Sequence, residues 1–195
     1  MASMDLEDYI VTKFAQVIRS WAPELARDIY ALSLYRDDNK VPYRPAVYLA
    51  YNTRSHLMNA SPEARASGEA RWNLAYWPQD YYGIEDKRSQ YVQALHVDDR
   101  EGTRALHAWL NTITEGKPDD IDADIVLPLF AALCVQVARR LHDDGVIREV
   151  FGWNVPIIMH DDEWDDDMLR NTEAANPPGA ADEFLSEETR WTPAG

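Results

Sequence analysis

Cysteine is almost absent from this chain: Cys134 is the only one in 195 residues. A single thiol cannot form an internal disulfide, which fits a reducing compartment. Basic side chains are scarce as well. Nineteen Lys and Arg face 34 Asp and Glu, a formal charge of −15. A nucleic-acid footprint needs positive charge on the phosphates, so the balance argues against nucleic acid and against anionic lipid. Only eight glycines are present. Neither a Gly-x-x-x-x-Gly-Lys-Ser/Thr phosphate loop nor a Gly-x-Ser-x-Gly nucleophile elbow occurs, and there is no His-Glu-x-x-His pattern. The sequence shows no apolar run of the length that spans a bilayer. The start, with Asp5, Glu7 and Asp8, lacks the basic and apolar stretches of a secretory signal. The expected location is the cytoplasm.

What the chain does have is aromatic mass: seven Trp, ten Tyr and four Phe, within a hydrophobic content of 46%. Disordered chains are poor in such residues, so a folded core is expected. The length suits a single domain. The negative charge is unevenly spread. Residues 143–195 hold 14 acidic and three basic side chains, a net of −11 out of −15. Such a surface either keeps the protein soluble or attracts a basic protein partner.

Periodicity supplies the elements. Leu6, Ile10, Phe14, Val17 and Trp21 form one helical stripe over 5–21. Residues 28–36 are apolar on both alternating faces and predict a strand covered on both sides. Residues 46–52 predict a second strand, antiparallel to the first because the connection is short. Trp72 and Tyr76, four apart, predict a short helix that stops at Pro78 and aligns them. Helices are also expected over 101–114 and 125–142. The latter carries the stripe Leu129, Leu133, Val137 and Leu141, with Phe130 and Cys134 beside it. Pro128 begins or kinks it, and Gly145 caps it. Residues 155–159 predict a third strand, and 164–175 another helix. The fold class expected is α+β: a small, mainly antiparallel sheet packed by several helices. A single domain spans 1–176, followed by a loosely packed, acidic, proline-containing tail over 177–195.

Two clusters are candidate sites. In the first, Glu69, Arg71, Trp72, Tyr76 and Trp77 put charge and rings on one short element. Aromatics there could grip a ligand while Arg71 neutralises an anion, or the rings could simply be core. In the second, His160, Asp161 and Glu163 precede Asp165, Asp166 and Asp167. An imidazole among carboxylates could hold a metal for a hydrolase. The spacing lacks the central glycine and closing glutamate of a calcium loop, so the alternative is a solvated helix start capped by Asp165 or a neighbour. No metal or cofactor is favoured. Cys134, between Leu133 and Val135, reads as a small buried hydrophobe.

Three stretches are distinctive as a set. One runs from Asp28 to Tyr35 and on to Ala50-Tyr-Asn-Thr53. Another is Glu69-Ala-Arg-Trp-Asn-Leu-Ala-Tyr-Trp77. The last joins Leu141 to Gly145, Phe151 to Asp161, Ala175-Asn-Pro-Pro-Gly179 and Asp182-Glu-Phe184. With these the chain resembles the bacterial domain-of-unknown-function family 4303. The resemblance implies an α+β fold and assigns no catalytic residue. Some small bacterial α+β families of this type accompany secreted toxins as immunity proteins. The function expected is a non-enzymatic protein-binding module of that kind, with a basic protein partner. The alternatives are a metal-dependent enzyme at His160 and Asp161, or a small-molecule-binding module around Trp72.

Overall fold

The structure is a computed structural model that describes residues 5–37, 45–78, 92–93, 100–114, 122–161 and 165–188. The chain enters through helix α1 (Leu6–Ser20). Asp5 caps it, accepting from the Glu7 amide, and Glu7 and Asp8 lie at the positive end of the dipole. Leu6, Ile10, Phe14 and Ile18 are buried; Val17 and Trp21 are partly so. Short α2 (Pro23–Asp28) leads directly into strand β1 (Ile29–Asp37). Strand β2 (Ala46–Thr53) pairs antiparallel with β1, as the short connection requires.

The sheet has the order β3-β2-β1-β4, where β3 is Val92–Gln93 and β4 is Ile157–Ile158. β2 and β3 are antiparallel, but β1 and β4 are parallel. The sheet is mainly antiparallel, as expected, and the parallel β4 makes it mixed. The third strand is also shorter than expected. A parallel neighbour needs a crossover, and here it runs through several helices before β4 returns beside β1.

Both sheet faces are covered, because β1 and β2 are apolar on both sides. On one face Leu32, Leu34, Leu49 and Ile157 pack with α1, α6 (Arg100–Ile113), α7 (Ala123–Asp143) and α8 (Val146–Phe151). Gly102 lets α6 approach α1: a Cβ there would sit 2.9 Å from the Tyr9 ring. On the other face Tyr30, Ala31, Ala50 and Ile158 pack with Trp72, Trp77, Met168 and Phe184. A register shift between Ile29 and Ala31 brings both Tyr30 and Ala31 to this side.

Three expectations change. First, the buried row of α7 is Val126, Phe130, Cys134, Val137 and Leu141, while Leu129 is exposed and Leu133 only half-buried. The helix is turned so that Phe130 and Cys134, not Leu129, face the core, with Phe130 edge-on to Trp109 of α6, ring centres 5.8 Å apart. Pro128 lies inside this helix, and Gly145 follows its end. At 21 residues α7 also has, by length and composition, the character of a membrane span, contrary to the expectation that no such run is present; its buried row packs into the core. Second, the Trp72 helix is shorter than expected. Helix α5 (Glu69–Trp72) ends at Asn73, whose extended backbone starts a separate 3-10 turn over Leu74–Tyr76. The break takes Trp72 and Tyr76 off a common face: Trp72 is buried and Tyr76 is 42% exposed. Third, residues 177–188 are not a loose tail. Helix α10 (Asp182–Glu188) buries Phe184 completely against Trp72, ring centroids 5.5 Å apart.

Candidate functional site

Helix α5 has only four residues, so its C-terminal carbonyls find few partners within the helix. Side chains from elsewhere supply them. Asn52 on β2 donates through Nδ2 to the Ala70 carbonyl at 3.0 Å. The Arg71 carbonyl accepts from the Tyr30 hydroxyl at 2.8 Å and from the Trp77 indole at 3.1 Å. The Trp72 carbonyl meets His160 Nε2 at 2.8 Å. A carbonyl only accepts, so Nε2 carries the proton and Nδ1 accepts from the Ser33 hydroxyl, 2.8 Å away. Burial drives the His160 pKa down to about 4, keeping the imidazole neutral. Burial likewise raises the Tyr30 phenol above its ordinary value.

These bonds present Arg71 and Trp72 toward α10. The Arg71 guanidinium lies 5.3 Å from the Trp72 ring centre and 6.0 Å from that of Tyr30. Its Nη1 pairs with Glu183 at 2.6 Å and Glu187 at 3.3 Å. The Trp72 indole donates to Glu187 at 2.6 Å. Glu69 accepts from Ser67 and from the Tyr76 hydroxyl, which raises the Tyr76 pKa.

Beside this assembly lies an open groove of about 340 Å³. Tyr30, Trp72, Pro156 and Phe184 line it with Leu57 and Met58 of α3 (Arg54–Asn59) and with Trp153. Arg54, Arg71 and Glu183 are its charged members. Trp153 follows Gly152, which ends α8 with a positive φ of 77° that favours glycine. Trp153 is 41% exposed and Met58 72%, so two large apolar side chains stand in water at the groove.

The structure thus joins residues that the sequence placed in separate clusters: Arg71, Trp72, Trp77 and His160 form one assembly. Trp77 is buried edge-on to His160, 5.3 Å between ring centres. The partners missed were Tyr30, Asn52, Phe184, Glu187, Trp153 and Met58. A buried asparagine and tyrosine on adjacent strands were a readable signal; the return of α10 was not.

The metal-ligand set does not assemble from His160 and Asp161. The Nδ1 lone pair of His160 already accepts from Ser33, and Asp161 pairs with Arg36. Glu163 lies outside the described residues, as do Asp162 and the aromatics Tyr81 and Tyr82. Among the described residues no group of three or more His, Cys, Asp or Glu side chains is placed to hold a metal ion. Asp165, Asp166 and Asp167 open helix α9 (Asp166–Ala175); all three are exposed. Asp165 is its cap, accepting from the Met168 amide at 2.9 Å, and Asp167 pairs with Arg170. His56 and His142 bond the Tyr76 carbonyl and the Asn176 side chain. Cys134 is buried.

Comparison of the chain with protein-family models, curated proteins and solved structures finds no match, so the site stands on its own geometry.

Proposed function

We propose that the protein is a non-enzymatic binding module whose recognition site is the groove beside Trp72. The observation that supports this most is the groove's lining. Trp153 and Met58 keep large apolar surface in water around a floor of Trp72 and Phe184, with Arg54 and Arg71 nearby. Tryptophan and arginine dominate the energetics of protein interfaces, and methionine is enriched there. Two described side chains with catalytic chemistry are occupied otherwise: His160 anchors α5 and Cys134 is core.

The partner class is a basic protein. Asp143, Asp144, Glu149 and the three aspartates that open α9 are exposed. Their field steers a cationic surface toward the molecule, and the groove supplies the anchor. Neutralising a toxin by covering a basic active site is the specific form of this reading. The resemblance noted from the sequence assigns no residue a role in it.

In-cell photo-cross-linking tests the reading. A photoreactive residue at position 153 should capture a discrete protein species, and one at the exposed position 107 on α6 should not. Equal capture from both positions, or capture from 107 alone, rejects the groove as the recognition site.

A further inference from the structure

We propose that the outward face of α7 pairs with the same face of a second copy of this chain, the two helices running antiparallel about a two-fold axis. The pairing goes beyond the groove reading and does not depend on it.

The first observation is apolar surface on a second side of α7. One row of the helix already packs into the core. Away from that row, Ile125 is 53% exposed and Leu129 45%. Only 39% of the helix's most apolar 18 residues are buried. A surface helix normally turns a polar face outward, and one apolar on more than one side is covered on more than one side.

The second observation is spacing. Ile125, Leu129, Ala132, Gln136 and Arg139 are all exposed and step alternately by four and three. Asp122, the exposed cap of α7, stands one step of three before them. This alternation averages 3.5 residues, the repeat that keeps a seam aligned with a partner helix. The seam runs about 26 Å along the helix.

The third observation is charge, and it selects the occupant. The seam is acidic at its start, apolar through Ile125, Leu129 and Ala132, and basic at Arg139. Arg139 makes no ion pair among the described residues. Antiparallel helices that set Leu129 against Ala132 of the second copy also set Ile125 against Gln136. The same register sets Asp122 against Arg139. A two-fold axis makes each of these contacts twice. Parallel helices in register would instead place Asp122 on Asp122 and Arg139 on Arg139. The face is thus complementary to itself in one orientation only.

One helix face is small beside the roughly 800 Å² per partner of a standard interface, so the pair is reversible and depends on concentration. The core row of α7 packs on the sheet face opposite Trp72 and Phe184, so the pair does not occupy the groove.

Sedimentation equilibrium of the intact protein, from about 5 to 500 µM at physiological salt, tests the pairing; there a Debye length of roughly 8 Å limits repulsion between the acidic chains. A monomer–dimer equilibrium is expected. Leu129→Glu, a change at an exposed side chain, should raise the dissociation constant at least about tenfold without lowering the unfolding midpoint. Arg139→Glu should also weaken the dimer. Orientation is read by mixing ¹⁵N-labelled protein with copies carrying a nitroxide at the exposed position 143. Antiparallel helices bring that label near residues 122–126 of the other copy, whose amides should broaden. A monomer at every concentration overturns the proposal, as does a dimer indifferent to Leu129→Glu. A dimer indifferent to Arg139→Glu, or broadening centred on residues 139–143, overturns the antiparallel register. A monomer that sediments with phosphatidylcholine vesicles, and loses this with Leu129→Glu, assigns the face to lipid instead.

Discussion

Nε2 of His160 and the carbonyl oxygen of Trp72 lie 2.8 Å apart, joined across 88 residues of sequence. The bond ties the segment after β4 to the end of α5. Ser33 on β1 completes the link at the other ring nitrogen. A charged imidazole would lose its acceptor role toward Ser33 and carry its charge in a buried place. The groove floor is thereby held by a histidine that must stay neutral.

Stability should consequently fall on acidification. The folded pKa of His160 is about 4 and the unfolded value about 6.5. Between those values the unfolded chain binds the extra proton, so stability rises with pH across the window and is lost as pH drops through it. The full effect is on the order of 3 kcal/mol. Urea midpoints of wild type and His160→Gln, compared at pH 7 and pH 4.5, isolate it from the carboxylates. Wild type should lose more stability than the variant over that interval; parallel losses would remove His160 from the account.

The indole of Trp72 should contribute in two separable ways. Trp72→Ala should cost about 3–5 kcal/mol through cavity formation. Trp72→Phe keeps most of the ring volume but loses the bond to Glu187, and should cost less than Trp72→Ala. Glu187→Gln retains an acceptor and should cost least of the three. Denaturant midpoints give the order directly, and an unchanged midpoint for Trp72→Ala contradicts the packing described.

Phe184 tests whether α10 belongs to the core. It is fully buried against Trp72. Phe184→Ala should destabilise the whole molecule by about 3–5 kcal/mol. If α10 were only draped on the surface, the midpoint would not move and hydrogen exchange would rise over 182–188 alone.

How much of this was legible differs element by element. The β1–β2 pair was readable because two apolar runs flank a short polar connection. The parallel return of β4 was not, since it depends on how several helices cross. The α7 stripe was misread because Leu129 and Phe130 are adjacent and periodicity alone cannot decide which faces the sheet. The Trp72–Tyr76 alignment failed at Asn73, whose side chain accepts from the Ala75 amide and so favours a turn over a continued helix. Pro177, Pro178 and the acidic run suggested a loose tail. The counter-signal was Phe184-Leu185, two apolar residues inside that run. In the site, Arg71, Trp72, Trp77 and His160 could be singled out by type; their meeting is a property of the tertiary fold.

The acidic start of α9 should act on association speed more than on folding. Asp165 is a cap, so Asp165→Ala should cost about 1 kcal/mol, whereas Asp165→Asn keeps an acceptor. Asp166 and Asp167 are exposed and contribute little to stability. Asp165→Asn, Asp166→Asn and Asp167→Asn combined should leave the unfolding midpoint nearly unchanged. The triple variant should slow association with a basic partner, with a weaker salt dependence than wild type. An association rate indifferent to both salt and the substitutions would show that these charges only keep the protein soluble.

The central claim is that the groove beside Trp72 provides the anchor for binding. Its most direct test is the dissociation constant for the captured partner, measured for wild type, Trp153→Ala and the triple aspartate variant at matched fold stability. Truncating an interface anchor costs about 2 kcal/mol or more, so Trp153→Ala should weaken binding at least about tenfold, mainly through faster dissociation. The aspartate variant should act mainly on the association rate. A Trp153→Ala protein that binds within about twofold of wild type would contradict the account and move the binding surface away from the groove.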